Sequence, residues 1–389
     1  MPKKLLVVDD EVEICEFVRD VAEELGFDVA ITTDPTEFRQ QYIDTPPDVV
    51  IMDLMMPKAD GIELLHQMWE AASGAQVIVM SGVDARLLMA ARRLAESHNL
   101  RILAAIEKPV TVARLRDVLS RAARDEDVVS EASLRAAIET DQIAVYYQPK
   151  VSLKAETDWS VVGAEALVRW RHPTAGIIAP EGFISLAEQT GLIASLTERV
   201  FALAIVQAGK WRAAGFDLNI AVNLSPVLLN HFDQPDRMQR QASEAGIQTS
   251  DVTIEITESG AMADAVTTME ILTRFRIKGF NLSLDDFGTG YSSLVALHRM
   301  PFNEVKIDKT FILDSEDDPE AVKIIRSIAQ LSQSIGVNLC GEGVETDRAL
   351  ALLRSVGCDT AQGHLISRPV PPDEFEALLR DPVRRRAAG

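Results

Sequence analysis

A chain of 389 residues, 47% hydrophobic and 25% charged, exceeds one ordinary domain of roughly 150 residues and is neither disordered nor fibrous in composition. Its 59 acidic against 39 basic residues leave a formal charge of -20, which opposes non-specific attraction to nucleic acid or anionic lipid. Cys15, Cys340 and Cys358 show no CxxC spacing, arguing against a disulfide framework or thiolate zinc and fitting a reducing cytoplasm; the absence of any run of about 18 apolar residues predicts no membrane insertion.

Residues 1–123 alternate apolar runs such as "KLLVV", "PDVVIMD", "QVIVMSG" and "RILAAIEKP" with stretches of helical period. That alternation predicts a doubly wound, five-stranded parallel sheet, with ligands at the carboxyl ends of the strands. Those ends carry Asp9 and Asp10, Asp53, Ser81 and Lys108. Each acid alone reads as a helix cap or a solvated loop residue. Together, three carboxylates in one pocket repel one another and call for a hard divalent cation. One Mg²⁺, with Lys108, would also neutralise a phosphoryl group transferred to Asp53.

The polar, acidic stretch "RDEDVVSEAS" places a joint at 124–131. From 132 to 389 the alternation restarts, and "IAVYYQPKV", "VVGAEALVRW", "LNIAVNLS", "VTIEIT", "FNLSLDD", "EVKID", "GVNLCGE" and "CDTAQG" read as eight strands. Eight strands with interleaved helices predict a (β/α)8 TIM-like barrel. Its mouth would gather Glu165, Asn223, Glu255, Asp285, Asp286, Lys306, Glu342 and Gln362. Taken singly, Glu165 could pair with Arg169, Asn223 could cap a turn and Lys306 could be solvated; their convergence on successive strands favours a site. Oxygen donors without paired histidines or thiolates suit Mg²⁺ or Mn²⁺ rather than zinc. In "SLDDFGTGYSSL", Asp285 and Asp286 can share a task only if the strand ends or bulges there, since neighbours on a regular strand face opposite ways. His172 and His364 read as packing or neighbour-binding groups.

Residues 1–123 resemble a two-component receiver domain. The resemblance implies Asp53 as phosphoacceptor, Asp9, Asp10 and the Met55 carbonyl around the metal, Ser81 as switch hydroxyl, and Lys108 before a cis Pro109. Receivers usually carry an aromatic where this chain has Ala105, so the usual coupling of hydroxyl to aromatic is expected to be altered. Residues 132–389 resemble an EAL domain, the bacterial cyclic di-GMP phosphodiesterase family, through "YYQP", "EALVRW", "VNLS", "EITES", "DDFGTGYSSL", "VKIDKTF", "EGVET" and "QG".

The EAL resemblance implies one metal on Glu165, Asn223, Glu255 and Asp285, and a second shared by Asp285 with Asp286 and Glu342. Lys306 would align the attacking water, with Glu342 and Glu165 beside it. Gln148, Leu167, Arg169, Glu345 and Gln362 would contact substrate, and Glu258 would anchor the loop after the aspartate pair. The family has alanine and tyrosine at positions held here by Gly341 and His364, neither of them a ligand.

The expected protein is a cytoplasmic response regulator, phosphorylated by a sensor histidine kinase, that opens cyclic di-GMP to linear 5′-pGpG and forms a homodimer or higher homo-oligomer. The alternative is a receptor that binds cyclic di-GMP without cleaving it and signals through a protein partner. A barrel glycosidase with two acids also fits paired carboxylates, but predicts activity that survives EDTA. No DNA-binding domain is left to assign.

Overall fold

Two sets of strands organise the chain, one in each of two units, Met1–Glu126 and Asp127–Gly389. The computed structural model describes residues 2–70, 75–82, 100–123, 128–154, 160–263, 265–289 and 300–380. The helical pattern at 85–98 and the stretch "GYSS" at 290–293 lie outside those residues.

In the first unit, β1 (Lys4–Val8), β2 (Asp28–Thr32), β3 (Val49–Asp53), β4 (Gln76–Ser81) and β5 (Arg101–Glu107) form a parallel sheet in the order β2-β1-β3-β4-β5. The sheet is apolar on both faces, as a sheet covered by helices on both sides must be. Leu6, Val8, Val50, Met52, Val77 and Val79 pack with Phe38, Leu64, Leu65 and Met68, from the side of α2 (Phe38–Asp44) and α3 (Gly61–Glu70). Leu5, Val7, Val49, Ile51, Ile78 and Met80 meet Cys15, Val18, Leu115, Val118 and Leu119, which belong to α1 (Val12–Glu24) and α4 (Val112–Ala123). The two sets alternate along each strand, as a period of two requires.

The second unit opens with α5 (Glu131–Glu139), started by a reciprocal capping box between Ser130 and Ser133. Its strands are β6 (Ile143–Ser152), β7 (Val161–His172), β8 (Gly176–Ile178), β9 (Asn219–Asn223), β10 (Val252–Thr257), β11 (Asn281–Phe287), β12 (Glu304–Ile307), β13 (Asn338–Gly341) and β14 (Thr360–Ala361). Hydrogen bonding runs β6-β14-β13-β12-β11-β10-β9-β7, and the β6–β7 pairing closes it into a barrel of eight strands. The expected barrel is present, with one departure from the uniform (β/α)8 pattern: β6 runs antiparallel to both neighbours, β7 and β14. The connection from β6 to β7 is too short for a crossover helix, and a short connection requires the antiparallel arrangement. The small strand β8 extends β7 as a hairpin outside the barrel.

Residues facing out of the barrel are apolar. Ile254 and Ile256 flank Glu255, Leu282 and Leu284 flank Ser283, and Val305 and Ile307 flank Lys306; all six belong to the core around the barrel. Among the helices of that core, α6 (Pro319–Ile335) starts at the Asp318 cap with Pro at its first turn and stops at Gly336, whose φ of 73° is the left-handed conformation that terminates helices. The last described helix, Pro372–Arg380, presses Phe375 onto Trp211, with ring centroids 4.7 Å apart, and Trp211 lies 4.6 Å from Tyr147 on β6. That stack, with the Tyr147–Val370 backbone bridge, fixes the odd strand against the rest of the barrel.

Candidate functional site

At the carboxyl end of the first sheet, Asp9 and Asp10 follow β1 and Asp53 ends β3; one carboxylate oxygen from each lies within 4.8 Å of the others. Lys108, next to a cis Pro109, reaches over them, with Nζ 2.7 Å from Asp53 Oδ2 and 2.9 Å from Asp9 Oδ2. Asp9 and Asp53 are buried while Asp10 is exposed. Burial raises the Asp9 pKa and Lys108 opposes that shift; the two aspartates hold the lysine above its ordinary value against its own desolvation. Met55 donates its N–H to Asp53 Oδ1 at 3.1 Å while its side chain is exposed. Ser81 is buried at the end of β4. Glu11, 3.2 Å from Lys108 Nζ, joins the cluster without having been singled out; a third acid in "VVDDE" was its only signal.

Lys306 Nζ is the centre of the second site. It lies 3.4 Å from Glu165, 3.0 Å from Glu255, 3.2 Å from Asp285 and 2.6 Å from Glu342. The lysine side chain has no solvent exposure, so its charge persists only because four carboxylates surround it. They raise its pKa well above the ordinary lysine value despite burial. Burial opposes the charge on Glu165 as well, but Lys306 and hydrogen bonds from Gln362 and Asn223 bring its pKa down to about 2. Burial pushes Glu255 up to about 8 and drives Glu342 well above the carboxylate range, in each case against the pull of Lys306.

Amides fix the carboxylates. Asn223 Nδ2 donates to Glu165 Oε1 at 2.8 Å, and Gln362 Nε2 donates to Glu165 Oε2 at 2.6 Å and to Glu342 Oε1 at 2.8 Å. Glu165 lies within β7 rather than at its end, because β7 continues beyond the barrel rim to pair with β8. The aspartate pair also lies within its strand: the β11–β12 register shifts between Leu284 and Phe287, and Asp286 has φ 56°. A bulge with a left-handed residue is what lets adjacent carboxylates serve one site. Asp285, Asp286 and Glu342 bring oxygens within 4.8 Å of one another.

The remaining expected residues have the following contacts. Gln148 is the register partner of Glu165 across β6–β7, and its Nε2 donates to the Ser367 carbonyl at 3.1 Å. Leu167 and Arg169 follow on β7, half-buried, the guanidinium donating to the Val168 carbonyl and lying 5.7 Å from the Tyr146 ring centroid. Glu345 is exposed and pairs at 3.1 Å with His364, which thus binds a neighbour as expected. Glu258 Oε2 accepts the Gly288 N–H at 2.8 Å, tying the residues after the aspartate pair to the end of β10. Asp308, the last letter of "VKID", was not foreseen. It is buried beside Asp286, whose pKa is pushed up to about 7 by burial and then by Asp285 and Asp308.

Both sites fit a hard divalent cation. Their donors are oxygens only. Buried Glu255 Oε1 accepts no hydrogen bond, and Asp9 Oδ2 accepts none of good geometry despite the nearby lysine.

The chain matches the EAL domain over residues 131–369 and the response regulator receiver domain over residues 5–120. It belongs to the EAL-domain family and carries an amino-terminal receiver. It is 33% identical over 338 residues to the cyclic di-GMP phosphodiesterase RocR of Pseudomonas aeruginosa, covering 84% of this chain and 86% of that protein. It is 38% identical over 266 residues to the cyclic di-GMP phosphodiesterase NbdA of the same organism, 68% of this chain but only 33% of that relative. Among solved structures, the PaMucR phosphodiesterase in its c-di-GMP complex superposes with a TM-score of 0.60 at 38% identity, over 63% of this chain and 98% of that one. The EAL domain of Mycobacterium smegmatis DcpA gives 0.53 at 30% identity, over 62% and 98%. No helix among the described residues is long and apolar enough to cross a membrane.

Proposed function

We propose that this chain is a cyclic di-GMP phosphodiesterase that opens its substrate to linear 5′-pGpG with the aid of two divalent cations, at a rate adjusted by phosphorylation of Asp53. The observation that carries the reading is the convergence of Glu165, Glu255, Asp285 and Glu342 on Lys306, beside Asp286. The relatives named cyclic di-GMP phosphodiesterases and the solved complex with c-di-GMP support the choice of substrate.

Glu165, Asn223, Glu255 and Asp285 would hold one Mg²⁺ or Mn²⁺, and Asp285, Asp286 and Glu342 the other. When bound, such cations supply charge against phosphate oxygens and acidity to water. Asn223 and Gln362 lock the Glu165 carboxylate in one orientation. Lys306, ringed by four carboxylates, would orient the attacking oxygen by donating a hydrogen bond. Gln148, Leu167, Arg169, Glu345 and Gln362 border the mouth where the nucleotide would lie.

In the receiver, Asp9, Asp10, Asp53 and the Met55 carbonyl would hold one Mg²⁺, with Ser81 and Lys108 meeting the phosphoryl group donated by a sensor histidine kinase. Residues 1–123 and 132–389 are the two functional domains in this reading, which also takes the protein to act as a homodimer or higher homo-oligomer.

The deciding experiment is release of 5′-pGpG from cyclic di-GMP by the purified chain with Mg²⁺ or Mn²⁺. Turnover is expected, with complete loss in EDTA and recovery on adding metal. Binding of cyclic di-GMP without product over hours would leave a receptor. Comparing rates with and without beryllofluoride, using Asp53→Ala as control, tests the regulatory half, and equal rates throughout would reduce the receiver to a structural partner.

A further inference from the structure

Below the centre at Lys306 lies a second buried cation that the proposed reaction does not use. Lys150 projects from β6 with 9% of its side chain exposed, and its Nζ is 2.8 Å from Glu304 Oε1. The same Glu304 oxygen accepts the Ser283 hydroxyl at 2.9 Å. Ser283 is the register partner of Glu304 on β12 and of Glu255 on β10, so Glu255, Ser283 and Glu304 stand in one row across three adjacent strands and face the barrel interior together. Lys150 spans that row: Nζ also lies 3.8 Å from Glu255 Oε1, the buried oxygen that accepts no hydrogen bond. The other oxygen, Oε2, belongs to Lys306. Glu255 is therefore held between two lysines, one at the site and one beneath it.

We infer that Lys150, fixed by Glu304 and Ser283, is a positioning residue that sets the orientation of the Glu255 carboxylate and balances its charge, and so determines how strongly the barrel holds a divalent cation. The inference rests on the reading of Glu255 as a metal ligand. The cost of keeping this pair supports a purpose for it. A buried ion pair seldom stabilises more than apolar residues of the same volume, and a barrel interior is commonly filled with Val, Ile and Leu. Burial disfavours the charges on Lys150 and Glu304, yet each shifts the other toward its ionised form. Groups that orient a ligand from behind commonly change metal affinity by about 10–100-fold when removed.

The test is Mn²⁺ binding by the entire 389-residue chain, followed by titration calorimetry without substrate, for wild type, Glu255→Gln, Lys150→Met and the double variant Lys150→Met/Glu304→Gln. The receiver's contribution is common to all four, so the loss in Glu255→Gln isolates the barrel. Lys150→Met is expected to weaken the barrel sites about tenfold or more, with turnover of cyclic di-GMP recovered by excess Mn²⁺. The double variant leaves no lone charge behind, so it removes any folding defect caused by an unpaired Glu304; its metal affinity is expected to stay weak. Wild-type Mn²⁺ affinity in the double variant would overturn the positioning role and leave Lys150 and Glu304 as structural. Wild-type affinity in Glu255→Gln would instead overturn the assignment of Glu255 as a ligand, and the inference with it.

Discussion

The receiver and the barrel solve the same electrostatic problem at different depths. In each, carboxylates on neighbouring strands gather around one lysine. Lys108 keeps 13% of its side chain exposed and faces two buried aspartates with Glu11 at the rim, whereas Lys306 has no exposure and touches four carboxylates. A shallow cluster leaves its lysine within reach of solvent. A deep one excludes solvent and strengthens every charge interaction it contains. Depth also changes what holds the acids in place: amides from β9 and the end of β14 clamp Glu165, whereas in the receiver the Met55 N–H and Lys108 hold Asp53.

The largest expected effect lies at the deep site. Lys306→Met removes a buried cation that touches four carboxylates and should lower cyclic di-GMP turnover by roughly 10²–10³-fold, with a stability loss of about 3–5 kcal/mol for the metal-free chain. Lys108→Met should cost markedly less in thermal unfolding, because water reaches that cluster; equal losses would erase the contrast in depth. The shallow site should also be sensitive to backbone crowding. A Cβ on Gly61 would sit 2.6 Å from the Asp53 carbonyl oxygen and 2.8 Å from Leu54 Cα, so Gly61→Ala should destabilise the receiver by ~1–3 kcal/mol and slow acetyl-phosphate labelling of Asp53.

Acidity gives a third handle. Without metal, Asp286 and Glu255 have pKa values raised to about 7 and about 8, so cation uptake must displace protons at neutral pH. Barrel affinity for Mn²⁺ should rise from about pH 6 to about pH 8.5 and level off above, with proton release visible in buffers of different ionisation enthalpy. A flat profile would show that the two groups do not bind protons in competition with metal. The smallest change belongs at the surface: Arg135 pairs with Glu131 at 2.8 Å with both side chains half exposed, and Arg135→Ala should shift unfolding by only ~0.3–0.5 kcal/mol.

Strand alternation, strand-end acids and the motif at Asp285 and Asp286 were legible in the sequence because they follow local rules of period and chemistry. The direction of β6 was not, since an apolar run reads alike in either orientation. Its legible clue was the short β6–β7 connection. The bulge at Asp285 could be named only as one of two options, because paired acids require a local break without specifying which kind. Lys150, Glu304 and Asp308 went unnoticed for a shared reason: each is a charged residue whose partner comes from another strand, so its burial depends on barrel closure.

The reversed run of β6 has a consequence for how the site can change. On strands such as β12, moving forward along the chain moves toward the mouth, from Glu304 to Lys306; on β6 it moves inward, from Gln148 to Lys150. A slip of β6 by two residues toward the mouth, which keeps its faces, would bring Lys150 to the depth of Gln148 and carry the glutamine further out. A fixed positive charge would then stand where Glu165 now faces an amide. One strand, through its register alone, thus decides whether the entrance meets an incoming anion with an amide or with a cation.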